Sequence, residues 1–250
     1  MPAYYNENDR FAAAWLRELI SAGLIADGEV DERSIELVRS DDIRGFKQCH
    51  FFAGVGGWSY ALRLAGWPDE RECWTGSCPC QPWSVAGKGR GIDDPRHLWP
   101  VWYRLIRECA PEPIFGEQVD SVSGRLWLDI VHDNLEHVGY AVGSVGLPAC
   151  SVGAPHNRPR LWFVADSNRE GLPQWKDDER DHREANAPLS WSEFERVHAT
   201  NAWSRWDTKS AVRVFAHGVP NVGGRLRGFG NAIVPQVASR FIDAYMVARA

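Results

Sequence analysis

The sequence predicts an α/β protein with a doubly wound, mostly parallel sheet, an N-terminal helical extension over residues 1–46, and a small variable segment over residues 167–212. Three observations predict it. Residues 48–57 (QCHFFAGVGG) form a short apolar run that breaks into a glycine-rich turn, and WSYALRLAGW after it has helical spacing, so strand, tight loop and helix follow one another as at the opening of a nucleotide-binding sheet. From there to residue 166, strand-like and helix-like stretches alternate. After residue 166 the alternation stops and both charge signs mix densely, as in a surface excursion or small separate module.

Taken in order, FAAAWLRELISAGL (residues 11–24) carries apolar groups at helical spacing and ends near Gly23, and DERSIELVRS predicts a second short helix. Both belong to the extension. The catalytic domain, residues 47–166, continues with ECWTGS as a strand, LWPVWYRLIRECAP as a helix stopped by Pro111, PIFGEQV as a strand, and WLDIVHDNLEHVG as a helix. YAVGSVGL and RLWFVAD are further strands. Residues 213–250 end in an apolar helix that should return to the sheet.

Composition sets the class. With 250 residues, 44% of them hydrophobic, the chain can bury a sizeable core. No apolar run approaches the roughly 18 residues of a membrane span, and MPAYYNENDRF lacks the layout of a secretion signal, so the expected location is the cytoplasm. The six cysteines (Cys49, Cys73, Cys78, Cys80, Cys109, Cys150) are too sparse for a secreted disulfide scaffold and read as reduced thiols. A net charge of -5 argues against wholesale polyanion binding but leaves room for a local basic face. The 13 tryptophans are expected mainly to pack in the core.

The stretch CPCQPWS, taken alone, reads equally as a nucleophile loop and as a structural turn with inert thiols; the flanking sequence tips it towards the nucleophile. Pro79 fixes the backbone before Cys80 and Pro82 restricts Gln81, which holds Cys80 on a constrained loop after a strand, where open α/β sheets bind ligands. Cys78 and Cys80 lack the spacing and partners of a zinc site, so no metal is expected. Glu117 follows a strand at the same sheet edge, and Arg158 and Arg160, at alternate positions entering another strand, can face one side. A thiol, a carboxylate and two guanidiniums suit attack on an electron-poor ring.

Five segments, FFAGVGG, SCPCQPWS, FGEQV, GAPHNRPRLWFVA and GNAIVPQVA, resemble in order and content the motifs of DNA cytosine-5 methyltransferases, above all short phage-type members, over roughly residues 48–240. The resemblance implies a methyltransferase-like (Rossmann-like) sheet and a transfer of a one-carbon group to carbon 5 of cytosine in double-stranded DNA. Cys80 would add to carbon 6 of a flipped-out base and Glu117 would bind ring nitrogen 3 and the exocyclic amine, with Arg158 and Arg160 steadying base and loop. Phe52, Gly54, Val55, Gly56, Gly57, Pro79 and Asn231 would bind S-adenosylmethionine. Gln81, Ser84, Lys88 and Arg90 would meet DNA as the catalytic loop closes. Residues 167–212 would recognise the target. A monomer in the cytoplasm of a bacterial host is the expected setting.

Departures from the family pattern also carry expectations. Gln118 stands where asparagine is usual after the acid, and His156 where glutamine is usual before the arginines. In the family, two more strand units follow the glycine-loop helix, and their ends carry an acid for the ribose hydroxyls and an aspartate for the adenine. Here Gly66 runs almost directly into WPDERECWTGSCPCQ, so the sheet is expected to be abbreviated, with Cys49–Phe52 an edge strand covered by the N-terminal helix and Glu70 or Glu72 standing in for the ribose acid. An incomplete nucleoside half opens two alternatives. One is methylenetetrahydrofolate as donor, giving 5-hydroxymethylcytosine or methylcytosine, with Trp58, Trp67 and Trp74 available to stack a pterin. The other is a catalytically degenerate DNA-binding module.

Overall fold

The computed structural model describes residues 2–79, 98–167 and 232–249. Seven strands form one sheet: β1 (Ala3–Asn6), β2 (Gly28–Asp31), β3 (Gln48–Phe51), β4 (Cys73–Gly76), β5 (Ile114–Val119), β6 (Ala141–Pro148) and β7 (Pro159–Asp166). Their spatial order is β2-β1-β3-β4-β5-β7-β6. The first five run parallel, and β7 is antiparallel to both β5 and β6. The expected doubly wound, mostly parallel sheet is present.

The N-terminal segment differs from expectation. It contains the predicted helix, α1 (Arg10–Ser21), capped by Asp9, whose carboxylate accepts from the Phe11 and Ala12 amides at 3.0 Å. On either side of α1, however, β1 and β2 enter the sheet. Tyr4, Tyr5 and Asn6 pair with Cys49, His50 and Phe51, so β3 lies inside the sheet and β2 forms the edge. The segment 1–46 is therefore neither an appendage nor a cover laid over β3. It supplies two strands by backbone pairing. The second predicted helix shrinks to a 3-10 turn at Ile35–Leu37 and a single turn, α2 (Ser40–Ile43).

The remaining helices are α3 (Gly57–Leu64), α4 (Trp99–Cys109), α5 (Val122–His137) and α6 (Pro235–Ala248). Side-chain alternation divides them between two faces. Tyr4, Cys49, Phe51, Trp74, Ile114 and Phe163 pack with Trp102 and Leu105 of α4 and Trp127 and Val131 of α5. On the opposite face, Tyr5 packs under Leu16 of α1, while Cys73, Phe115 and Trp162 pack under Trp58 and Leu62 of α3 and Val237 and Ile242 of α6. The carboxyl-terminal helix returns to the sheet as expected. Its end is tied down by Tyr245, whose hydroxyl donates to Asp166 at 2.7 Å, and by Arg249, 3.1 Å from the same carboxylate.

This division fixes the hand of the crossovers. Helix α3 joins β3 to β4 and helix α4 joins β4 to β5, in the same lateral direction but on opposite faces. The two connections therefore have opposite hands. Helix α1 joins β1 to β2 in the reverse direction on the α3 face, which gives it the hand of the α4 connection. Since right-handed crossovers are close to universal, β3-α3-β4 is the exceptional one. A chain that passed from α3 to β1 instead of β4 would have one hand throughout.

Seven of the described tryptophans (Trp58, Trp67, Trp74, Trp99, Trp102, Trp127, Trp162) are buried, each shielding large apolar area. Among them are the three that a pterin would have needed.

Candidate active site

The parallel strands deliver their carboxyl ends to one edge of the sheet, and the site is built there. After β3 the chain turns through Phe52 at φ 52°, Gly54 at 55° and Gly56 at 81°, the last capping α3. Glycine is required at Gly56 for the left-handed backbone, and at Gly57 for space, because a Cβ there would lie 2.8 Å from Ile233. Phe52 packs edge-on against Trp102 with centroids 6.1 Å apart. Val55 is half-buried in the same turn.

Beside this loop stands a carboxylate that the sequence reading missed. Glu7 follows β1 directly, and its Oε2 accepts from the Gly54 amide at 2.7 Å while Oε1 accepts from the Asp9 amide at 2.8 Å. Asp31 closes the neighbouring β2, where it is held by the Arg33 guanidinium at 2.7 Å and by the Tyr4 hydroxyl at 2.7 Å. The two strand units absent after α3 thus stand before β3 in sequence, each ending near the glycine loop's edge with an acid. Glu70 and Glu72 do not replace them. Residue 72 precedes β4 and pairs with Lys47, which precedes β3, so both lie at the entry edge of the sheet, remote from the loop. The sequence signal was present in YYNEND: a short apolar run, an acid, and two residues later the N-cap of a helix.

Strand β5 carries the second part of the site. Glu117 is 7% exposed, and its Oε1 lies 2.8 Å from Arg160 Nε of the antiparallel β7. Burial raises its carboxyl above the ordinary value, opposed by Arg160, a hydrogen bond from Ser77, and Arg158. Arg158 has φ 40°, strained for a residue with a side chain, and its Nη2 donates to the Ala232 carbonyl at 2.8 Å. Burial and then the Arg160 charge lower its guanidinium from the usual value. His156 is exposed two residues before it.

Gln118, the residue after the acid, is 2% exposed; its Nε2 donates at 3.1 Å to the carbonyl of Cys78, two residues beyond β4, and its Oε1 accepts from the Val119 amide of its own strand at 2.9 Å. Cys78 is buried on the α4 face, and Pro79 is half-buried after it. The five described cysteines are free thiols. The other predicted site residues, Cys80, Gln81, Ser84, Lys88, Arg90 and Asn231, lie outside the described residues, as does the recognition segment apart from Ser167. Among the described residues, then, Glu117 meets Arg158 and Arg160 beside the strand leading to Cys80, and the glycine loop meets Glu7.

Comparisons with known proteins bear on the family. The type II methyltransferase M.HgiCII of Herpetosiphon aurantiacus is 27% identical over 174 residues, covering 53% of this chain and 40% of the relative. M.NgoMIV of Neisseria gonorrhoeae is 34% identical over 103 residues, covering 40% of this chain and 33% of the relative. The chain thus spans well under half the length of these curated relatives. Among solved structures, a mutant of Spodoptera frugiperda DNMT2 aligns over 72% of this chain and 48% of its own, at 17% identity and a TM-score of 0.47. The model of the family described as C-5 cytosine-specific DNA methylase matches residues 67–204, more than half of the chain. That match takes in Cys80 together with Glu117, Arg158 and Arg160, and the chain belongs to this family of C-5 cytosine-specific DNA methylases.

Proposed function

We propose that the protein methylates carbon 5 of cytosine in double-stranded DNA, with S-adenosylmethionine as donor and a covalent Cys80 adduct at carbon 6 of a flipped base. The observation that carries this reading is the buried Glu117, clamped by Arg160 at 2.8 Å and set beside the strand that leads to Cys80. Burial favours the neutral form of this carboxyl, and in that form it can donate to ring nitrogen 3, drawing electron density from carbon 6 as the thiolate adds. Arg158 and Arg160 hold that carboxyl and the adjoining backbone, and Gln118 fixes the root of the Cys80 loop through the Cys78 carbonyl. Gln81, Ser84, Lys88 and Arg90 would contact DNA from that loop, and residues 167–212 would recognise the target.

The cofactor fits the residues present. The left-handed glycine turn leaves open space at Gly54, and Glu7 offers a carboxylate beside it, the arrangement suited to a ribose diol. Phe52, Val55, Gly56, Gly57, Pro79 and Asn231 complete the proposed binding set. When bound, the cofactor supplies the methyl group. The ground for a folate donor or a degenerate binding module was a nucleoside half without strands, and β1 and β2 fill that gap. No other observation favours either. Action as a monomer in a bacterial cytoplasm belongs to the same proposal, and among the described residues no helix is long and apolar enough to cross a membrane.

The test is nucleoside mass spectrometry of DNA incubated with the protein and either S-adenosylmethionine or methylenetetrahydrofolate. Methylcytosine with the first alone, lost in a Cys80→Ala variant that still binds DNA, is the expected result. A hydroxymethyl product with the second alone would overturn the donor, and no modified base with either would overturn the activity.

A further inference from the structure

Ser77 continues the alternation of β4, so Cys73, Thr75 and Ser77 share the face covered by α3. The indole of Trp58, in the first turn of α3, donates from Nε1 to Ser77 Oγ at 3.1 Å. An indole N–H can only donate, so it occupies a lone pair of the hydroxyl and leaves the Ser77 proton for another acceptor. The neighbouring acceptor is Glu117: Gly76 pairs with Gly116 in parallel register, so the next residues, Ser77 and Glu117, stand side by side on adjacent strands, and the Ser77 hydroxyl helps to lower the titration of that carboxyl. Trp58 is itself fixed: it stacks near Phe115 with centroids 6.4 Å apart and meets Trp162 edge-on at 5.5 Å. Phe115 lies two residues before Glu117, and Trp162 is its register partner across β7.

We propose that Ser77, oriented by Trp58, is a positioning residue that sets the rotamer and protonation of Glu117, and so ties the acid facing the base to the helix that begins at the cofactor loop. The directional chain is Trp58 Nε1–H to Ser77 Oγ, and Ser77 O–H to the Glu117 carboxylate. Its effect on Glu117 is separable from that of the charges around it, which among the described residues are Arg160 of β7 and Arg158 just before that strand. A hydrogen bond donated to a carboxylate favours its charged form, so the serine works with the arginines against burial. Neither Trp58 nor Ser77 carries charge, and the effect should therefore persist at high salt.

The inference rests on the proposed role of Glu117, and the experiment lets the two fail separately. The full chain is labelled with glutamate carrying carbon-13 at the side-chain carboxyl, and the Glu117 signal is identified by its loss in Glu117→Gln. Its titration is then followed in the wild type, Ser77→Ala, Ser77→Thr and Trp58→Phe. Ser77→Ala should raise the midpoint by about one pH unit, the scale of one hydrogen bond to a charged group. Ser77→Thr should restore it, and Trp58→Phe should raise it by less. In methyl transfer, a rate that needs protonated Glu117 falls as pH rises through its midpoint, so Ser77→Ala should move that alkaline limb upward with little change in KM for DNA. A Ser77→Ala midpoint equal to the wild type overturns the positioning role, as does a shift that threonine fails to reverse. A midpoint that shifts without any change in the rate profile leaves the positioning role standing and overturns the role of Glu117 at the base.

Discussion

Replacing Glu7 by glutamine should weaken S-adenosylmethionine binding while leaving the fold intact. The carboxylate accepts the Gly54 amide at 2.7 Å through one oxygen and the Asp9 amide at 2.8 Å through the other, and each oxygen retains a lone pair for a further donor. A ribose diol presents two such donors. Glutamine keeps the shape and one acceptor oxygen but loses the charge and the second acceptor, so one of the two backbone amides turns to solvent and one charge-assisted hydrogen bond to the diol, about 1.5–3 kcal/mol, disappears. That corresponds to a rise in Kd of roughly 10- to 100-fold.

Titration calorimetry with two ligands isolates the cause. The wild type and Glu7→Gln are each titrated with S-adenosylmethionine and with an analogue lacking both ribose hydroxyls. If Glu7 holds the diol, the variant's penalty appears with the first ligand and vanishes with the second, the signature of a direct pairwise interaction. If Glu7 merely shapes the turn at Gly54, both ligands suffer equally, and that result would refute the assignment. An unchanged Kd for both would remove Glu7 from the site altogether.

Two further outcomes follow from buried groups. Gln118→Leu leaves the buried Cys78 carbonyl and the Val119 amide without their partner, and should cost about 1–3 kcal/mol in urea denaturation while lowering kcat more than it raises KM. Gln118→Asn, one methylene shorter, should fall between; a wild-type kcat in both variants would sink the idea that Gln118 fixes the nucleophile loop. His50 is stacked on Tyr5 at 4.8 Å, its Nδ1 is 2.8 Å from Thr75 Oγ1, and burial lowers its pKa to about 3. The native state thus excludes a proton that the unfolded chain accepts near pH 6.5, so its contribution is full above that pH and is lost by about 1.4 kcal/mol per unit as pH falls towards 3. Stability of His50→Gln measured between pH 6.5 and 5 should decline less steeply; parallel curves would show that His50 is not the source.

The sequence made the central strands legible because each is an apolar run bounded by a turn or proline, and it made α1, α4 and α5 legible through their helical spacing. Strands β1 and β2 escaped for a physical reason. Each has four residues, and GEVD contains a single strand-forming side chain, Val30, beside two acids. Nothing local makes it extended. Pairing of Gly28–Asp31 with β1 does, and that partner is a tertiary fact. Arg158 and Arg160 could be read from their alternation, whereas the contact of Ser77 with Trp58 and Glu117 joins three elements whose mutual register the sequence does not display.

The exceptional hand of the β3-α3-β4 connection explains how these omissions coexist with a coherent site. Catalysis and cofactor binding depend on which strand ends are neighbours in space, and the order β2-β1-β3-β4-β5 brings Glu7, the glycine turn, Ser77 and Glu117 to one edge. Chain order is a separate variable. Placing the β1-α1-β2 unit before the glycine loop preserves all of those neighbours, and changes only the exit of α3, which must cross to β4 on the face it already occupies. A crossover of the disfavoured hand is what that rearrangement requires. The tight helical turn through Gly66 and the bidentate Arg63–Asp69 pair, at 3.1 and 2.7 Å, hold the short return to β4. In this chain, the strands whose absence after α3 suggests a truncated cofactor half are therefore displaced in sequence and retained in space.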